Sequence, residues 1–124
     1  MRIMMVNKYL YPKAGAETYM LELCRTLIAE GHQVAFFGMN HPEITKLGPT
    51  CTIEEVNFGA NQSVSSRIKQ IGQAIYQNCT IRRKFRNFCK EFKADFIHAH
   101  NVYNQIPASL FKGSKLPVLM TAHD

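Results

Sequence analysis

Near the end of the chain, three histidines and an aspartate carry the side chains for acid–base, hydrogen-bonding or metal chemistry. His98 and His100 are two residues apart in the apolar stretch from Asp95 to His100, so in a strand they face the same side. His123 and Asp124 follow the next apolar stretch, Leu116 to Thr121. Four such groups on one rim can bind a metal. Against that, no carboxylate follows His98-Ala99-His100 at the usual ligand distance, and Asp95 falls at the far end of the strand. The other reading of His98 is a hydrogen-bonded core histidine.

A second candidate is the loop Lys13-Ala14-Gly15-Ala16-Glu17, which runs straight into a helical pattern. Free N–H groups at a helix start bind phosphate, and small residues let the phosphate approach the backbone. The segment is neither G-x-G-x-x-G nor a Walker loop. A plain turn, with Gly15 at the bend and Glu17 complementing the helix dipole, accounts for it equally well.

The third candidate is electrostatic. Between residues 63 and 93 eight cations oppose Glu91 alone, so this segment holds the whole formal excess of +6. Arg82, Arg83, Arg86, Lys90 and Lys93 oppose a phenylalanine face, as on a solvated helix or one lying on an anionic membrane surface. The chain shows no nucleic-acid fold or base-stacking platform, so nucleic acid is not an expected partner.

The elements that must hold these groups alternate. Residues 2 to 7 read as a buried parallel strand. Ala16, Met20, Leu23, Cys24, Leu27 and Ile28 then mark one helix face, which Gly31 ends. Val34 to Phe37 is a second strand, broken by Gly38, and Thr50 to Phe58 holds an edge strand. Val64, Ile68, Ile71 and Ile75 form one helical stripe, and Ile81, Phe85, Phe88, Cys89 and Phe92 another. The six-residue step from Ile75 to Ile81 loses helical phase, so the spacing predicts two helices with a break near Asn78 to Thr80. Asp95 to His100 and Leu116 to Thr121 are further strands, with a short helix or turn between them at Asn104 to Lys112. This alternation predicts an α/β fold: a Rossmann-like open parallel sheet with flanking helices, strand order 3-2-1-4-5. In such a sheet ligands bind at the carboxyl ends of the strands, where all three polar segments (Asn7 to Ala16, His98 to Tyr103 and Thr121 to Asp124) fall.

Composition fits one domain: 124 residues, 46% hydrophobic and 19% charged, which exclude a disordered or fibrous chain. No apolar run reaches the roughly 18 residues that span a bilayer. The first residues read as a strand and not a signal peptide. Cys24, Cys51, Cys79 and Cys89 lack zinc-ligand or C-x-x-C spacing and read as thiols in a reducing cytoplasm, with Cys24 and Cys89 on apolar helix sides.

Taken in order, these segments resemble the family 4 glycosyltransferases. Lys8-Tyr9-Leu10-Tyr11-Pro12-Lys13-Ala14-Gly15-Ala16-Glu17 is similar to that family's Pro-x-x-Gly-Gly-x-Glu loop, with Ala14 on the first glycine. Glu30-Gly31-His32-Gln33-Val34 resembles its Gly-His-x-Val. Ala94-Asp95-Phe96-Ile97-His98-Ala99-His100-Asn101 resembles Pro-Asp-x-(Val/Ile)-His-x-His-Asn, and Leu116 to Asp124 resembles Pro-Val-x-x-Thr-x-His-Asp.

The resemblance implies a GT-B architecture of two Rossmann-like domains facing across a cleft. Residues 1–124 would be the N-terminal, acceptor-side domain, incomplete at its C-terminus, without the donor-binding domain and inactive alone. It further implies a retaining sugar transfer, of hexosyltransferase type, from a nucleotide-sugar substrate to a glycan or lipid-linked acceptor, with no metal and no cofactor. Polysaccharide biosynthesis for the cell envelope fits, in the cytoplasm or peripherally at the inner face of the membrane. Gly15 and Ala16 would contact the donor phosphate, and His123 would stand at the reaction centre. Tyr11, His100, Asn101 and Tyr103 would face the acceptor, and Arg82, Arg83, Arg86 and Lys90 the membrane. Surfaces left bare by the missing C-terminal domain would favour self-association. The alternatives are a small metal-dependent hydrolase built on His98, His100, His123 and Asp124, and a non-catalytic α/β binding module.

Overall fold

The structure is a computed structural model that describes residues 1–54, 64–102, 106 and 108–123. Its core is a five-stranded, fully parallel sheet. The strands are β1 (Arg2–Val6), β2 (Gln33–Met39), β3 (Thr50–Ile53), β4 (Phe96–Ala99) and β5 (Val118–Met120), in the order β3-β2-β1-β4-β5. This is the expected α/β arrangement. The order reverses between β1 and β4, so the chain leaves both strands into one crevice.

Alternation along β1 decides what covers each face. Ile3 and Met5 point to α1 (Gly15–Ala29) and pack with Met20, Leu21, Cys24 and Phe36. Met4 and Val6 point to α2 (Val64–Phe92) and pack with Phe37, Phe85, Cys89 and Ile97. Phe85 anchors the second layer: its ring stands edge-on to Phe37 at 4.9 Å and to Phe111 at 6.0 Å. Phe111 belongs to a 3-10 turn, Ala108–Phe111, the element between β4 and β5.

Helix α1 ends as its sequence predicts. Gly31 takes φ +92°, its N–H reaches the Ile28 carbonyl, and the His32 N–H reaches that of Leu27. Helix α2 ends with the same hydrogen bonds around a lysine: Lys93 has φ 58°, with Lys93 N–H to Lys90 O and Ala94 N–H to Cys89 O. Without a glycine, this stop carries no sequence signal.

Three expectations change. Gly38 does not break β2. A side chain there would collide with the Asn7 carbonyl and come within 2.8 Å of Leu10 Cγ, so the glycine makes room for the loop after β1. The two helices predicted around Asn78–Thr80 are one helix of 29 residues. Across the expected break the Thr80 hydroxyl donates to the Tyr76 carbonyl within the helix. The loss of phase marks a change of surroundings: Ile81, Phe85, Cys89 and Phe92 are buried, whereas Val64, Ile68, Ile71 and Ile75 are exposed. The edge strand stops at Ile53, and most of its expected remainder lies outside the described residues.

Replacing Phe85, 2% exposed, with alanine is expected to lower stability by about 3–5 kcal/mol. Ile71→Ala, at an exposed helical site, should stay within about 0.5 kcal/mol. Urea midpoints of the two variants check this, and equal losses would contradict the packing described.

Candidate functional site

Asn7 follows β1 and is 1% exposed. Its Oδ1 accepts the Asn101 N–H at 2.9 Å, and its Nδ2 donates to the Tyr9 carbonyl at 2.6 Å. The Lys8 N–H donates to the Asn101 carbonyl at 2.8 Å. These bonds tie the loop after β1 to the loop after β4. Asn101 in turn turns its side chain toward the buried Glu17 in the first turn of α1, with Nδ2 3.5 Å from Oε1.

The three histidines meet beside this knot. His98 and His100 do face one side, with ring centroids 4.2 Å apart. His98 Nε2 lies 2.8 Å from the Thr121 hydroxyl, and His100 Nδ1 lies 3.0 Å from His123 Nε2. The His123 ring is half-buried and stands edge-on to Tyr19 of α1 at 5.8 Å. Beyond the ends of β4 and β5, therefore, His100 and His123 stack at 5.3 Å and lean toward α1.

Burial sets the charge of this group. His100 is 3% exposed. Burial first, and then the neighbouring His98 and His123, push its pKa down to about 4. His98 is lowered as well, by burial and then by His123. His100 is therefore a neutral ring at neutral pH and carries one N–H. Its Nε2 is buried with no partner among the described residues. An orphaned N–H costs more than an unused lone pair, so the proton belongs on Nδ1 and donates to His123 Nε2. His123 Nδ1 has no hydrogen-bond partner among the described residues.

Gly15 and Ala16 open α1. The N-cap, Ala14, is extended and supplies no side-chain cap, and a Cβ on Gly15 would meet open space. The first backbone N–H groups of the helix thus remain available to an anion. Tyr11 lies elsewhere: it stacks on His41 beyond β2 at 4.0 Å, and Tyr9 meets it edge-on at 5.7 Å. Lys13 and Lys8 stand over the Tyr9 ring at 3.7 and 5.0 Å, and their hydrogen bonds hold its phenol below the usual 10.0. Tyr103 and Asp124 lie outside the described residues. Arg82, Arg83, Arg86 and Lys90 ride on α2 and take no part in the histidine group. All four cysteines are free; Cys24 and Cys89 are buried, which pushes both thiols up to about 12.

Among the described residues no group of three histidine, cysteine or carboxylate side chains is placed to hold a metal ion. Instead, His98 Nε2 meets Thr121, and His100 Nδ1 meets His123 Nε2. Sequence reasoning placed Asn7 and Thr121 at the ends of their strands without giving them a role, and missed the burial of Glu17. A polar residue closing an apolar strand was the available signal for Asn7.

Fold and site define a Rossmann-like domain whose carboxyl edge gathers hydrogen-bonded asparagine, threonine and histidine side chains. The model of one family, Glycosyltransferase Family 4, matches residues 14–124, and the chain belongs to that family. No curated protein matches it.

The lowered histidines make stability depend on pH. Below the usual 6.5 the unfolded chain takes up protons on these rings, while folded His100 resists protonation until about 4. Stability should therefore fall as pH drops from 6.5 toward 4. Melting temperatures across that range should fall less steeply for His100→Gln. An unchanged slope would show that His100 titrates normally in the folded protein.

Proposed function

We propose that this domain forms the acceptor side of a retaining hexosyltransferase. The enzyme moves a sugar from a nucleotide-sugar to a hydroxyl of a glycan or lipid-linked acceptor, at the inner face of a membrane. Family membership supports the reaction class. The observation that carries the reading is the buried, neutral His100 beside His123, next to the uncapped start of α1.

In the transfer, the bond from the anomeric carbon to the leaving phosphate oxygen breaks. The acceptor oxygen bonds to that carbon, and its proton leaves with the phosphate. Negative charge grows on the phosphate as the bond breaks. The backbone N–H groups of Gly15 and Ala16 receive that charge. His123, held by His100, presents its Nδ1–H to the reacting sugar as a hydrogen-bond donor. One such donor in a water-shielded site is worth about 2.7–4 kcal/mol. Asn101 and His100 line the acceptor side. The scheme calls on no metal or cofactor. Arg82, Arg83, Arg86 and Lys90 hold the domain against an anionic surface where lipid-linked acceptors reside. Residues 1–124 by themselves carry one wall of the cleft and are expected to transfer no sugar.

His123→Ala in the complete enzyme should cut turnover at least tenfold, with a nearly unchanged melting temperature. Release of the nucleotide product and thermal unfolding measure the two effects. A large fall in melting temperature with near-normal turnover would make the histidine structural and remove it from the reaction centre.

A further inference from the structure

A cavity of about 510 Å³ opens between the end of α2 and the segment that leads into β5. Ala94 and Leu116 line it, and both precede their strands, so it lies at the edge of the sheet opposite the histidines. Its floor is apolar: Phe85, Cys89, Leu110 and Leu116. Its rim carries Arg86, Lys90, Lys93, Lys112 and Lys115, with no carboxylate among the lining residues. None of these five cations forms an ion pair among the described residues; the one ion pair there joins Arg25 and Glu22. Gly113 gives Arg86 its place, since a Cβ there would come within 3.1 Å of the Arg86 guanidinium.

The helix leading to this cavity carries a row on one side. Val64, Ile68, Ile71 and Ile75 recur at steps of four and three and are 74, 66, 61 and 60% exposed. The same steps continue through the exposed Cys79 to Arg82, Arg86 and Lys90. One side of α2 is therefore aliphatic for its first half and cationic for its second, and it ends in the cationic rim. No helix among the described residues is long and apolar enough to cross a membrane.

We infer that this side of α2 lies on a bilayer and that the cavity takes the headgroup of one anionic phospholipid. The rim cations hold its phosphate, and the floor covers the glycerol and first methylenes. The four aliphatic residues enter the acyl boundary beside it. Charge alone would suit any polyanion. The apolar floor and the aliphatic row favour lipid, because a nucleic acid or free phosphate leaves both in water. The site deepens the membrane-surface reading above and shares no residue with the histidine group, so its loss and the loss of sugar transfer are separately measurable.

The test is flotation of the protein with phosphatidylcholine vesicles, with and without phosphatidylglycerol, at several salt concentrations. Binding is expected only with phosphatidylglycerol. The double variant Lys112→Gln/Lys115→Gln, which touches the cavity but not the helix row, should lose roughly tenfold or more in partitioning. Ile68→Ser/Ile71→Ser should lose a similar factor while the salt dependence stays. Arg25→Gln/Lys46→Gln removes equal charge elsewhere and should change binding little. Sugar transfer to a soluble acceptor should be unaffected by Lys112→Gln/Lys115→Gln. Equal losses from the cavity pair and the control pair would overturn the headgroup site, as would inorganic phosphate or RNA competing as well as phosphatidylglycerol. A stable dimer dispersed by Ile68→Ser/Ile71→Ser would reassign the row to a second copy of the chain.

Discussion

The site depends on one buried amide. Asn7 stands where the central strand of the sheet ends, and it has no access to water. Leaving either half of such a group unpaired costs about 1–3 kcal/mol, so its two partners are obligatory. Those partners are the Asn101 N–H and the Tyr9 carbonyl, one from each of the two loops that leave the sheet at its reversal point. With Asn101 fixed, its side chain faces Glu17 and sets the start of α1 against the end of β4. With Tyr9 fixed, the loop after β1 must pass over β2, where only a glycine at position 38 leaves it room. The uncapped helix start, the histidines and the aromatic loop thus share one frame.

Most of the fold was legible because the sheet is parallel and covered on both faces. Buried parallel strands read as short apolar runs, and helices between them leave one topology family standing. Two features misled for physical reasons. A glycine inside an apolar run looks like an interruption, yet Gly38 is a contact: the missing side chain belongs to a loop 30 residues away in sequence. A shift in hydrophobic phase looks like the end of a helix. In α2 it records that the apolar stripe of the first half is exposed while that of the second half packs on the sheet. Periodicity reports what a helix touches, and only indirectly whether its backbone continues.

For the site, period-two spacing put His98 and His100 on one side, and the strand-end rule brought His123 to them. Which nitrogen meets which was beyond the sequence, since those bonds span 23 residues and depend on strand register. Glu17 shows the same limit. Its place in a first helical turn suggests a solvated carboxylate answering the dipole, but the crossing of two loops buries it against Asn101, 84 positions away. Tyr11 was grouped with the acceptor residues by motif alone; its ring lies with His41 beyond β2, one strand over.

The sheet also keeps two electrostatic environments apart. At its carboxyl edge, His98 and His100 have lowered pKa values whose causes are burial and the neighbouring histidines; no lysine or arginine contributes. At the opposite edge, five cations without an ion pair among the described residues surround an apolar floor. Lys8 and Lys13, at the carboxyl edge, stand over the Tyr9 ring and are not among the causes that shift the imidazoles. The two arrangements need opposite conditions. A buried ring such as His100 keeps its hydrogen bond shielded from water, whereas a cluster of cations must stay hydrated. Helix α2 makes both possible in so small a fold. Its second half closes the sheet with one face, Ile81, Phe85, Cys89 and Phe92, and carries Arg82, Arg83, Arg86 and Lys90 on the other, away from the edge where the histidines sit.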